Sequence, residues 1–493
     1  MMSLPAAWMR AEPVILPVAR GFAALLLSVV AGCGAQAYRE KPLRPDTSAQ
    51  AFVDRSLADA GLRAYAVAQG IATETWPPAR WSLAQLTMAA MFFHPDIEVA
   101  RARARVSTAE TQTSRTRPPI TINVRPEYNT KAGAGETPWG LGALVGLPID
   151  VGGKRAARTA QLERLEAAAT TDIGVAAWRV RSRLRRHFVD LYASRQQLRA
   201  LEAEQEQRRI LLALHEKREQ AGYAAAAEAT AQRLRLAEAE VASRRATIRR
   251  DQALAGVAEA VGVPLAALDR VELGFDSFAG LATPPGNDDI RRVALRNRID
   301  LRRKLDDYAA AEVAVRLEIA RRYPDLVLAP GYFWDADESI WSIAFLALGA
   351  ASARADALIR EAEARREVEE KAFLALQANV IAEVAGAVVR YRRAHEAEVA
   401  AQAHIEQARA RARQVARQFE RGQADRVELV QARADALGAE RLALATMLEA
   451  QQATSALEDA VQRPLDDPDF AGALPTAAAP ADRAINPALI DND

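Results

Sequence analysis

The chain has 493 residues, 50% apolar, 26% charged and only 6% aromatic, with 65 basic side chains against 64 acidic ones. This balance leaves no basic excess for nucleic acid and no acidic tail. An apolar share dominated by Ala and Leu belongs to long helices and coiled coils rather than to a compact mixed core, although the length admits two or three globular domains or one elongated architecture.

In chain order, Arg10 and Arg20 precede an apolar run over 21–31 that is too short to span a bilayer as a helix. The run ends in Val30-Ala31-Gly32, directly before the only cysteine, Cys33. A basic flank, a short apolar core and small residues describe a secretory signal over 1–32. Val-Ala-Gly-Cys resembles the bacterial lipobox, and that resemblance implies lipidation of Cys33, with 33–81 as an irregular segment leading from the anchor. The alternative is an ordinary signal that happens to lie near a free thiol. No other stretch approaches 18 consecutive apolar residues, so a membrane crossing falls to strands.

The rest is one unit written twice. Ala260-Val261-Gly262-Val263-Pro264-Leu265 returns 200 positions later as Ala460-Val461-Gln462-Arg463-Pro464-Leu465, and Gly222 with Glu228 returns as Gly422 with Glu428. The segment ending at Tyr128 is echoed, at an offset of 204, by the one ending at Tyr332. The repeats span 82–265 and 287–465, with a linker over 266–286 and a loose Ala/Pro/Asp-rich tail over 466–493.

Each repeat opens with a helical stretch, of about 34 residues in the first and about 36 in the second. The first starts at Ser82-Leu83-Ala84-Gln85, which has the form of a capping box. Two strand-like segments follow, then a proline-free helical run broken near its middle by Gly222 or Gly422. The long helix from about 154 to 220 is roughly 100 Å. The two shorter helices of each repeat, stacked end to end, match it, as the staves of a cylinder would.

The strand-like segments alternate. Ile120, Ile122, Val124, Pro126 and Tyr128 share one face, and Thr121, Asn123, Arg125, Glu127 and Asn129 the other. Trp139, Leu141, Ala143, Val145, Leu147 and Ile149 share a face over 139–149, with Gly140, Gly142 and Gly146 opposite. Leu326, Leu328, Pro330, Tyr332 and Trp334 mark a third strand, and Trp341, Ile343 and Phe345 a fourth. Segments of about ten residues with aromatics near an end suit a transmembrane β-strand. Four strands cannot close a barrel alone, so several chains would contribute, and three would give twelve strands. Arg125 and Glu127 are then candidate lumen-facing residues. A pair of soluble hairpins packed on helices is the competing reading.

Over residues 82–465 the sequence resembles the TolC-like outer-membrane efflux family. The carriers are the two repeats, Leu147-Pro148-Ile149-Asp150-Val151-Gly152-Gly153-Lys154-Arg155, and Phe419-Glu420-Arg421-Gly422 with Asp425-Arg426-Val427-Glu428-Leu429. Tyr323 to Tyr332 and Trp76-Pro77-Pro78-Ala79-Arg80-Trp81 look like a CzcC-like branch, named for heavy-metal efflux members. The resemblance implies a mainly α fold with a small β part: a homotrimer with a 12-stranded outer-membrane barrel continued by a coiled-coil α-barrel in the periplasm. It also implies partners, namely outer-membrane lipid and a periplasmic adaptor and inner-membrane pump docking at the helix tips. Gly222, Glu228, Gly422, Asp425 and Glu428 fall at those tips, as gating or adaptor-contact candidates. Early acidic residues also favour a helix N-terminus in their own right.

One departure stands out. Pro148 and Gly152-Gly153 break the first strand from its helix, whereas 346–354 has no proline or Asn/Arg/Gly-rich turn, which predicts a frayed or partly helical fourth strand. No catalytic motif, cofactor site or metal site emerges. The five histidines are scattered without metal-ligand spacing and read as helix-surface residues. The expectation is a non-enzymatic, passive efflux duct for metal ions or small molecules. A type I protein-secretion duct and a non-spanning periplasmic lipoprotein remain alternatives.

Overall fold

The computed structural model describes residues 38–70, 75–131, 133, 137–278, 287–335, 338–349 and 352–465. Cys33 and the tail over 466–493 lie outside them. A first unit, Met1–Val53, carries one described helix, α1 (Pro45–Val53), exposed along its length. All other described elements belong to a second unit, Asp54–Asp493.

The segment expected to be irregular is partly built. In α2 (Ala60–Ala68) the Asp59 carboxylate accepts from the Leu62 amide at 3.0 Å, satisfying an otherwise orphan helix donor. Strand β1 (Arg80–Trp81) pairs in parallel with β4 (Glu272–Leu273), so the expected linker is tied into the fold. Phe275 and Phe278 from that linker lie against the Phe188 ring at centroid distances of 4.7 and 5.8 Å.

The opening stretch of the first repeat is two helices, α3 (Leu83–Phe93) and α4 (Pro95–Arg115). The Ser82–Gln85 capping box starts α3. Pro95 lacks the N–H that would continue it, and His94 turns extended, its Nδ1 accepting from the Asp96 amide at 3.1 Å. The second repeat breaks at the equivalent place without a proline, between α7 (Asn287–Asn297) and α8 (Ile299–Ala320). His94 and His215 are buried, at 3% and 9% exposure, which corrects the expectation of surface histidines.

The long helices are α5 (Lys154–Gln220, 67 residues) and α9 (Ser352–Glu420, 69 residues). Each turns back into a 36-residue helix, α6 (Ala226–Val261) and α10 (Arg426–Val461). Next to the sheet the helices lie in the order α4–α5–α8–α9; farther out the order is α6–α5–α10–α9. The returning helices therefore continue the lines of α4 and α8. The end of α6 meets the α3–α4 break directly: a Cβ on Gly262 would lie 3.0 Å from His94 Cα.

The sheet is fully antiparallel in the order β2 (Thr121–Tyr128), β3 (Trp139–Ile149), β5 (Asp325–Asp335) and β6 (Glu338–Leu348). Each strand adjoins its own helix, so strands and helices share one order. The fourth strand is complete, against the expectation of fraying. It pairs residue by residue with β5 from Asp325↔Leu348 to Asp335↔Glu338. Its β-branched and aromatic residues, set against a formed neighbour, outweigh the missing breakers.

The apolar core lies where the helix lines meet. One cluster joins Leu86, Phe93 and Ile97 to Leu184, Phe188 and Val257, and another joins Ile290 and Leu301 to Val384, Tyr391 and Leu457. Between them Glu458, 1% exposed, receives Arg181 at 3.2 Å and Arg185 at 2.9 Å. Burial pushes the neighbouring Asp459 carboxyl up, against the Ser182 hydroxyl that donates to it.

Candidate functional site: strand wall and helix tips

Pairing register decides which side chains share a face. Ile122↔Val145, Val124↔Ala143 and Tyr128↔Trp139 join β2 to β3; Ala143↔Tyr332 and Leu147↔Leu328 join β3 to β5; Leu328↔Phe345 and Tyr332↔Trp341 join β5 to β6. Apart from Ile120, which precedes β2, the residues predicted to share the apolar faces thus fall on one face of one sheet. Trp341, Ile343 and Phe345 are 81%, 68% and 75% exposed, far beyond a soluble strand's ordinary surface. Tyr128–Trp139 pack edge to face and Tyr332–Trp341 at a tilt, with centroid distances of 4.8 and 5.0 Å, at the end of the sheet bearing the β2–β3 and β5–β6 connections. Such a band of apolar side chains with aromatics at one rim is the composition of a lipid-facing wall.

The opposite face is crowded. A Cβ on Gly142 would lie 2.3 Å from the Phe333 ring, and one on Gly146 would lie 2.3 Å from the Thr121 hydroxyl. Neighbouring side chains lean over the glycines, as on the inside of a curved sheet. Arg125 and Glu127 stand on this face opposite Gly142 and Gly140, and form an ion pair with each other at 2.6 Å.

The tips place the remaining candidates. Gly222 (φ 77°) and Gly422 (φ 71°) take the left-handed conformation that closes a helix. The Tyr223 amide donates to the Arg218 carbonyl at 2.8 Å, and the Gln423 amide to the Gln418 carbonyl at 2.8 Å. Beyond that the tips differ. Asp425 and Glu428 form a capping box, with Glu428 N donating to Asp425 Oδ1 (2.8 Å) and Asp425 N to Glu428 Oε2 (3.0 Å). At the first tip the N-cap is Ala225, which has no capping side chain, and Glu228 instead lies 3.2 Å from His215 Nδ1. Arg218 then crosses from the first tip to Asp425 at 3.3 Å. Sequence reading missed Arg218, whose partner lies 207 residues away, and His215, which meets Glu228 only once the chain has turned back at the tip. Farther up, Arg409, Arg413 and Arg433 line a groove of about 350 Å³ between α5, α9 and α10.

Among the described residues no group of three or more His, Cys, Asp or Glu side chains comes together as a metal-ligand set. The family model of outer membrane efflux proteins matches residues 90–263. A comparison with curated protein sequences finds no match. In fold, the chain is similar to the outer-membrane channel OprN, with a TM-score of 0.65 at 20% identity over 87% of this chain and 98% of that one. It is also similar to the outer membrane protein VceC of Vibrio cholerae (TM-score 0.62, 17% identity, 79% of this chain and 100% of that). The CmeC outer membrane channel of Campylobacter jejuni gives a TM-score of 0.63 at 14% identity, over 78% of this chain and 87% of that. The sequence match to outer membrane efflux proteins thus covers the first repeat, and the fold of these channels extends over both repeats.

Proposed function

We propose that this chain is the outer-membrane duct of a tripartite efflux system, acting as a homotrimer whose three sheets close a 12-stranded barrel. The observation that carries this is the pair of open edges: β2 and β6 each have one unpaired side, while the sheet's outward face is apolar along its length. A bilayer admits no unpaired strand edge, so a lipid-facing sheet of this kind must join others until it closes.

The helices on the same two edges support it. On α6, Leu234, Val241 and Ile248 are exposed at seven-residue intervals, and on the α9 edge so are Leu374 and Ile381. The most apolar window of α9 would be long enough to cross a membrane by composition, yet only 22% of it is buried in a single chain. Packing against α6 of a second copy covers both rows and continues the helices as a periplasmic tunnel.

Conduction is then passive. Metal ions or small molecules arrive from an inner-membrane pump through an adaptor that docks at the tips, where Gly222, Glu228, Gly422, Asp425 and Glu428 stand. Acylation of Cys33 adds a lipid anchor. The test is the assembly itself: purified from outer membranes, the protein should run as a trimer that dissociates only on heating. An Ile343→Asp variant, which places a carboxylate on the outward face, should be lost from the membrane fraction, while Ser342→Asp on the opposite face is retained. A monomer unaffected by either change would refute the reading.

A further inference from the structure

A water-filled barrel is polar on its inside, yet the inner face of this sheet is polar on one strand of four. On β2 that face carries Thr121, Asn123, Arg125 and Glu127. On the other three strands it carries Leu144 of β3, Val327 and Phe333 of β5, and Ile340 and Leu346 of β6. Between the end residues of those strands the remaining inner positions are glycine, alanine, Pro148 and Ser342. The glycines let larger side chains lie along the wall. A Cβ on Gly331 would stand 3.0 Å from Leu144 Cγ, and one on Gly146 would stand 3.2 Å from Val327 Cγ1. In the single chain Ile340 and Leu346 are 48% and 49% exposed.

Charge on this face is confined to its two ends. At the helix end, Asp325 is held by Lys154 at 2.6 Å. At the other end Glu127, Asp335 and Glu338 share one level, through Glu127↔Gly140, Gly140↔Asp335 and Asp335↔Glu338. Arg125 stands one level inside them and pairs with Glu127 at 2.6 Å. Each chain thus brings three acidic residues and one basic residue to this end of the face.

We propose that the panel formed by β3, β5 and β6 is a contact surface for amphiphilic organic cations on their way through the barrel. This rests on the duct reading above. In a closed trimer three such panels alternate with three polar β2 strands, so a solute can lie with its apolar part on a panel and its charge toward the acidic end. Apolar contact removes water from both surfaces, and the surplus of acidic residues draws a cation. A bare metal ion gains only from the second effect, since the panels offer it no charge and, apart from Ser342, no side-chain ligand. The wall therefore retains an amphiphilic cation longer than a hydrophilic one of the same charge.

Single-channel currents of trimers in planar bilayers test this, with hexyltrimethylammonium, tetramethylammonium and hexyl sulfate as probes. Hexyltrimethylammonium should reduce the current at a concentration about threefold or more below that needed of tetramethylammonium, which has the same charge without the tail. Hexyl sulfate, with the same tail and the opposite charge, should act more weakly than hexyltrimethylammonium. In the Ile340→Thr/Leu346→Thr double variant, where threonine keeps the strand propensity, the two ammonium ions should come within about twofold of each other. Should that variant fail to assemble, the wild-type comparison of the three probes decides alone. Conducting trimers that treat the two ammonium ions alike, that take hexyl sulfate as readily, or whose preference survives the double substitution would overturn the proposal and leave the duct reading intact. Wild-type trimers that carry no current would overturn the duct reading, and this proposal with it.

Discussion

The two repeats solve the same problem at the waist with different residues. Where α6 ends against the α3–α4 break, Arg55 donates to the carbonyls of Gly262 (2.7 Å) and Phe93 (3.0 Å). Where α10 ends against the α7–α8 break, Arg298 donates to the Ala460 carbonyl at 3.0 Å and also pairs with Asp300 and Glu383 at 2.6 Å each. Both joints bring a guanidinium to the last carbonyls of a helix, which have no partner within the helix. In the first repeat it reaches in from the N-terminal segment, and in the second it sits at the break itself. The turns differ in the same way. Gly262 (φ 83°) lets the chain pass within contact of His94, whereas Gln462 holds a left-handed conformation at φ 48° and uses its Oε1 to accept from the Ile299 amide at 2.7 Å. Duplicated sequence has kept the backbone path and changed the chemistry that holds it.

The largest expected effect comes from the guanidiniums. Arg298→Met leaves two carboxylates and a carbonyl without their partner and should cost about 3 kcal/mol in chemical denaturation, while Arg55→Met should cost about 1 to 2. Equal losses would mean that the carboxylates of the second joint contribute nothing. Next come the turns. Gly262→Ala combines a left-handed backbone with a Cβ 3.0 Å from backbone atoms, for an expected loss of about 2 kcal/mol. Gln462→Gly trades relief of that strain for one lost hydrogen bond, so its denaturation midpoint should hardly move.

At the tips, Asp425→Ala removes the capping box and the Arg218 contact and should cost about 1 kcal/mol, read as faster amide exchange over 426–429. Ala225→Asp supplies the cap that the first tip lacks and should slow exchange over 226–229. The smallest effect is a pH dependence at the first joint. Burial, chiefly, holds the His94 imidazole below its ordinary 6.5, so the folded protein favours the neutral ring. That contribution is complete above about pH 6.5 and is lost as pH falls through the lower folded value. His94→Asn should flatten the slope of exchange at 94–97 as pH falls below about 6.5.

How much of this was legible in sequence follows from the range of each interaction. The strand faces could be read because alternation is local and the face is set by parity, and the pairing register then aligned all four strands. The long helices and their glycine turns could be read because proline-free runs and left-handed glycines are local too. The fourth strand was misjudged because strand formation there depends on β5, not on the residues that follow it. The break at Arg298 carries no proline, and its ion pair with Glu383 and its hydrogen bond to the Ala460 carbonyl reach 85 and 162 residues away. The Arg218–Asp425 contact between tips and the pairing of Arg125 with Glu127 are side-chain geometry, which spacing leaves open. The N-terminal anchor rests on the context of Cys33 alone, and the mass of the mature N-terminal peptide would test it.

The central claim is that three copies of this sheet close into a conducting barrel. Single-channel recording of purified trimers in planar bilayers tests it most directly. Discrete, reproducible conductance steps that disappear with Ile343→Asp but persist with Ser342→Asp are the predicted result. Trimers that insert yet carry no current, or current that is indifferent to both substitutions, would contradict it.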